Sequence, residues 1–185
     1  AGGLPLEFPV MSLGEPFMLP TTMLFRNLMS MDVEESIRAN PLDAVVLLGG
    51  CDKTTPAMLM GAASVDIPSI FVSGGPALKG NWRGETLGSC TDCRKYYVEL
   101  RAGTINREQY DDMEGNIYRS RGHCMTMGTA STMGCIAEAI GMTLSGGAAI
   151  PAVDSRRYSF AEESGIRAVG LAKEQLRPSK IMTRQ

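Results

Sequence analysis

The chain has 185 residues, 44% of them hydrophobic and 21% charged, which is enough apolar material for a sizeable core in one domain. A formal net charge of −2 supplies no basic footprint for nucleic acid or an anionic membrane. No apolar run approaches the ~20 residues of a membrane span, and the opening AGGLPLEFPV has neither the basic start nor the apolar stretch of a signal peptide, so a cytoplasmic protein is expected.

Residues 20–39 carry apolar side chains at helical spacing (Met23, Leu24, Leu28, Met31, Ile37) behind Pro20, and predict a helix. DAVVLLGG (43–50) is a continuous apolar run ended by glycines, as expected of a strand covered on both faces. TPAMLMGAASVD then predicts a helix, with Thr54 or Thr55 as cap and Pro56 in its first turn, and PSIFVSGG (68–75) a second strand. This β-α-β unit makes the two strands parallel neighbours. A glycine-rich loop is expected over 74–93, followed by helices over 94–102, from Asn106, and from about Thr129 to Met142. GGAAIPAVD (146–154) reads as a short strand and SRRYSFAEESGIRAVGLAKEQL as a last helix. The fold class is therefore α/β, a mainly parallel sheet with flanking helices.

In such sheets ligands gather beyond the carboxyl ends of the strands. Cys51, Asp52 and Lys53 stand at that end of the first strand, inside GGCDKTTPA. Locally two roles are open to them: packing, capping and a solvated amine, or a site for chemistry. Five cysteines, an odd number without sign of secretion, speak against a disulfide framework and for metal or catalytic use. Cys124, in the glycine-flanked GHCMTMGTASTM, stands before another helix. Thiolates from two loops beside hard oxygen donors would suit two metals of different character.

GGCDKTTPAMLMGAAS, GHCMTMGTASTM and IPAVDSRR together resemble the IlvD/Edd family of dihydroxy-acid and sugar-acid dehydratases, with Cys124 73 positions after Cys51. FRNLMSMDVEESIRANPLDAVVLLGGCDKTTPA and GGPALKGNWRGE are most similar to the arabinonate-type sugar-acid branch. Members are much longer, so residues 1–185 are expected to be one partial domain of the N-terminal half, truncated at both ends. The resemblance implies that Cys51 and Cys124 ligate a [2Fe–2S] cluster whose third cysteine lies upstream. It implies that Asp52 and a carbamylated Lys53 bind Mg²⁺, with Glu15 of SLGEP as a further ligand, and that the catalytic base, a serine, lies beyond Gln185. The implied reaction is dehydration of a 2,3-dihydroxy acid or sugar acid to a 2-keto acid. Dihydroxy-acid dehydratase of branched-chain amino-acid synthesis is the alternative within the family, and a non-catalytic α/β binding module the alternative outside it. The expected partner is a small polyhydroxy acid, with no nucleic acid or membrane, and the full-length protein is expected to form a dimer or tetramer.

Other candidates compete less well. Cys90 and Cys93 form a C-x-x-C without the second pair of a zinc site, in a stretch that reads as loop rather than as the start of a helix after a strand. Cys135 falls among apolar residues and reads as core. His123, the sole histidine, suits a supporting role better than ligation, because neighbours in sequence seldom point the same way. Arg156 and Arg157 fit either a substrate carboxylate or a solvated helix start.

Overall fold

A computed structural model describes residues 1–14 and 17–183. The predicted β-α-β unit is present: β1 (Val45–Gly49), α2 (Thr54–Val65) and β2 (Ser69–Ser73), preceded by α1 (Arg26–Arg38). The strands are parallel, in register from Val45 opposite Ser69 to Gly49 opposite Ser73. Val33 and Ile37 of α1, Leu59 and Ala62 of α2, and Val45, Leu47 and Phe71 of the strands close one core between them. Phe71 is 1% exposed, which stabilises the fold by roughly 2–3 kcal/mol. α1 begins later than the apolar spacing predicts, because Thr22–Phe25 winds as a 3-10 turn capped by the Thr21 hydroxyl.

The apolar run of β1 is not covered on both faces. Val45 and Leu47 are buried, whereas Leu48 on the opposite face is 68% exposed. β2, by contrast, is buried along its whole length. Helix α6 (Arg156–Glu174) packs Ala168 and Leu171 over Ile70 of β2, and Phe71 donates its N–H to the carbonyl of Met142 at 2.7 Å on the edge away from β1.

The stretch 74–93 is not all loop. It contains an antiparallel hairpin, β3 (Gly80–Trp82) and β4 (Glu85–Leu87), turned by Arg83 and Gly84, both at positive φ. Two positive φ values in succession suit the right-handed twist of a tight hairpin, a turn usually written Asn-Gly; arginine in the first place hid it. The hairpin, α3 (Cys90–Ala102) and α4 (Arg107–Ile117) share a second core of Trp82, Leu87, Tyr96, Ile105, Tyr110, Met113 and Ile117. Trp82 meets Tyr96 edge to face at 5.1 Å and donates its indole N–H to Asp112 at 2.7 Å. α4 opens at Asn106 as expected, with Asn106 and Gln109 capping one another.

The remaining helices are α5 (Ala130–Ala139) and the short α7 (Pro178–Ile181). Residues 146–154 form turns instead of the expected strand. Ile150 and Asp154 donate back to Gly147 and Pro151, Pro151 has no N–H for a ladder, and Arg157 claims the carbonyls of Gly147 and Ile150. Among the described residues no helix is long and apolar enough to cross a membrane.

Candidate functional site

The carboxyl ends of β1 and β2 are held together by the Gly74 N–H, which donates to the Gly49 carbonyl at 2.9 Å. A third segment, 120–126, is tied to the same end. His123 donates its N–H to Gly75 at 3.0 Å, and Ala77 donates to His123 at 2.9 Å. Gly122 makes this approach possible: at φ +138° a Cβ there would lie 2.4 Å from the Ala77 nitrogen.

His123 locks the three ends together through its ring. Nδ1 lies 3.0 Å from the Cys124 carbonyl and Nε2 3.2 Å from the Ser73 hydroxyl. One tautomer satisfies both, with Nδ1–H donating to the carbonyl and Nε2 accepting from Ser73. Burial pushes the pKa of His123 down, which favours this neutral form. Both nitrogens are engaged, so His123 is a structural link, as its sequence position suggested. Its ring also covers Gly50, where a Cβ would lie 3.3 Å from the His123 Cβ. Cys51 and Cys124 are thus each one residue from a packed contact.

Cys51, Asp52 and Lys53 form the turn that leads into α2. The Thr54 hydroxyl accepts from the Cys51 N–H at 3.2 Å and lies 3.3 Å from the Cys51 carbonyl. Cys51 Sγ and Lys53 Nζ each lie 3.1 Å from Asp52 Oδ1. The Asp52 and Lys53 side chains are only 14% exposed. Partial burial pushes the Asp52 carboxyl up, but hydrogen bonds with Cys51, Thr129 and Lys53 outweigh it and hold the group below its ordinary value. Desolvation, with the Asp52 carboxylate adding to it, pushes the Cys51 thiol up against the pull of the Lys53 backbone N–H.

Cys124 is half-buried, its sulfur 2.7 Å from the Ser89 hydroxyl just before α3. The Tyr118 hydroxyl reaches both Ser89 and Cys124, and burial first, then the Cys124 charge, pushes its pKa up. Sequence reasoning missed Ser73, Ser89 and Tyr118, and no spacing marks them.

The other sequence candidates fall elsewhere. Glu15 lies outside the described residues. Cys90 and Cys93 are not in a loop: they form the first turn of α3, after β4, with Cys90 exposed and Cys93 3.5 Å from the Tyr110 hydroxyl. Cys135 is partly buried rather than fully in the core, and lines an open cavity of about 460 Å³ with Glu138 and Ala148. Arg157 is buried and donates to the carbonyls of Ser73, Gly147 and Ile150, which commits it to the backbone. Arg156 pairs with Asp154 at 2.6 Å.

Among the described residues no three His, Cys, Asp or Glu side chains gather closely enough to hold a metal ion by themselves. The donors do sort by chemistry, with two thiols suited to iron and sulfide, and a carboxylate beside an amine suited to a hard cation.

The model of the N-terminal region of the dihydroxy-acid/6-phosphogluconate dehydratases matches residues 1–185, the whole chain. The chain belongs to this dehydratase family. It is 59% identical over 184 residues to the L-arabonate dehydratase of Azospirillum brasilense, covering 100% of this chain and 32% of that protein. It is 54% identical to the L-arabinonate dehydratase of Rhizobium leguminosarum, again over 100% of this chain and 32% of the relative. The dihydroxy-acid dehydratase of Halothermothrix orenii is 35% identical, over 100% of this chain and 34% of the relative. The chain therefore spans about a third of the length of the curated relatives it matches.

Proposed function

We propose that the protein to which these residues belong is a hydro-lyase that removes water from a sugar acid bearing 2,3-hydroxyls and yields a 2-keto acid. The observation that carries this reading is the Cys51-Asp52-Lys53 turn set against His123-Cys124 at the carboxyl ends of β1 and β2. A module that had kept only the fold would have no need of this donor set. The sugar-acid branch is favoured over the branched-chain dihydroxy acids by the higher identity to the arabinonate-type relatives, 59% against 35%.

Cys51 and Cys124 would hold two positions of a [2Fe–2S] cluster, and Asp52 with carbamylated Lys53 and Glu15 would hold Mg²⁺. When bound, these groups supply Lewis acidity for the departing C3 hydroxyl and positive charge for the substrate carboxylate and C2 hydroxyl. The protein residues act as positioning elements. The Asp52 carboxyl is held below its ordinary value by Cys51, Thr129 and Lys53 and is ionised at neutral pH, so it offers an oxygen donor once Cys51 and Lys53 give up their protons to bind metal. His123 keeps a fixed neutral tautomer and aligns the Cys124 backbone with the turn at Gly50. C2 deprotonation and C3–O cleavage together give an enol, which tautomerises to the 2-keto acid with no net redox change. By the family resemblance, the serine base for the C2 proton lies beyond Gln185.

Anaerobic purification of the full-length protein tests this. A brown protein with [2Fe–2S] absorption that converts L-arabinonate to a 2-keto acid is expected. A colourless protein with Cys51 and Cys124 intact, releasing no keto acid, would sink the proposal.

A further inference from the structure

Ser89 is 5% exposed and belongs to none of the motifs that mark the site. Its hydroxyl lies 2.7 Å from Cys124 Sγ and 3.3 Å from Thr126 Oγ1, and its backbone N–H donates to the same Thr126 oxygen at 3.0 Å. The turn that carries it is fixed in turn by the Gly88 N–H, which donates to Asp92 Oδ2 in the first turn of α3.

The directions of these bonds follow from counting protons. Thr126 Oγ1 accepts from the Ser89 N–H and has one proton of its own, which the Ser89 oxygen is placed to accept. Ser89 then has one proton left, aimed at the sulfur. A cysteine that binds metal does so as a thiolate and can only accept. The circuit therefore runs one way, from Thr126 through Ser89 to Cys124. The Tyr118 hydroxyl reaches both Ser89 and the same sulfur, but Tyr118 is 49% exposed, which leaves Ser89 as the buried donor to Cys124.

We infer that Ser89 is a positioning and tuning residue for Cys124, its buried hydroxyl donating to the sulfur that would ligate the cluster. This rests on the reading of Cys124 as a cluster ligand. A hydrogen bond to a ligating sulfur withdraws electron density from it, weakens its donation to iron and leaves that iron more electrophilic. For a cluster that works as a Lewis acid, such a donor favours departure of the hydroxyl. The hydroxyl also restricts the Cys124 rotamer, so its loss affects assembly as well as electronics.

The test compares full-length wild type, Ser89→Ala, Ser89→Thr and Thr126→Val, purified anaerobically and reconstituted with iron and sulfide. In Ser89→Ala the cluster potential should shift to more negative values and the Fe–Sγ stretching frequencies in the resonance Raman spectrum should rise. The kcat should fall roughly tenfold or more, with KM little changed. Ser89→Thr should restore potential and frequencies, and Thr126→Val should move both part of the way, which keeps the test open if Ser89→Ala folds poorly. If Ser89→Ala and Thr126→Val match wild type in potential and Fe–Sγ frequency, the inference about Ser89 is wrong and the dehydratase reading stands. If wild type itself binds no cluster, the dehydratase reading fails first and this inference falls with it.

Discussion

The ring of His123 closes over Gly50 so tightly that a single Cβ at position 50 would lie 3.3 Å from both its Cβ and its Cδ2. The ring cannot easily retreat, because Ser73 and the Cys124 carbonyl hold its two nitrogens. Gly50→Ala should therefore destabilise the protein by about 1–3 kcal/mol through overpacking, and lower its denaturation midpoint. His123→Ala removes the ring contact at Cδ2 and keeps the one at Cβ, so Gly50→Ala should cost less in the His123→Ala background than in wild type. Equal losses in the two backgrounds would show that the ring is not the cause.

The cysteines should separate into two groups when each is replaced by serine in the full-length protein. Cys51→Ser and Cys124→Ser remove thiols that each lie one residue from the Gly50–His123 contact, and iron content with visible absorption should collapse. Cys90→Ser should leave both intact, since Cys90 is exposed in the first turn of α3. Loss of the cluster in Cys90→Ser would assign the C-x-x-C a role that its position in the fold does not suggest.

Periodicity and turn chemistry carried the β-α-β unit, its parallel pairing and the placement of Cys51 at a strand end, because these follow from local sequence. What stayed hidden depended on partners distant in sequence. Leu48 belongs to a continuous apolar run, yet it is left 68% exposed among the described residues, which a strand cannot report about itself. α3 begins at Cys90 rather than at the expected residue 94, its first turn held by the Gly88 N–H on Asp92 and by Tyr96 packing on Trp82, contacts that residues 90–93 do not report by themselves. For Arg157 the sequence leaves a substrate carboxylate and a solvated helix start equally open, and the fold replaces both with three backbone carbonyl partners. At the site, the motif residues were legible, and the hydroxyls of Ser73 and Ser89 that orient them were not.

Tyr110 offers a pH test of the second core. Its hydrogen bond with Cys93, and then its burial, push its pKa from 10.0 up to about 12. The folded state therefore favours the neutral phenol. The stability this contributes is fully present below pH 10, the unfolded value, and is lost as pH rises towards 12. The tyrosinate absorbance of Tyr110 should appear late, and Cys93→Ala should bring its midpoint back towards 10.0. An unchanged midpoint in that variant would mean that the thiol does not hold the phenol neutral.

Lys53 and Asp52 carry the last prediction. As an ammonium, Lys53 sits 3.1 Å from Asp52 Oδ1 with both side chains largely buried, a favourable pair. Carbamylation takes one proton from the ammonium, joins the freed amine nitrogen to CO₂ with loss of a second proton, and so turns the cation into an anion. The same contact then sets two carboxylates together, a repulsion on the order of 4 kcal/mol at about 4 Å and an effective dielectric near 20. A divalent cation between them reverses that sign. CO₂ uptake and Mg²⁺ binding should therefore be coupled, each raising the affinity for the other by the same factor. With ¹³C-labelled bicarbonate, the full-length protein should show a carbamate carbon resonance when Mg²⁺ is present and lose most of it when Mg²⁺ is chelated. Lys53→Gln should show no such resonance at any Mg²⁺ concentration and should bind Mg²⁺ more weakly than wild type. A carbamate signal indifferent to Mg²⁺, or wild-type Mg²⁺ affinity in Lys53→Gln, would remove Lys53 from the cation site and leave it as the counter-ion of Asp52.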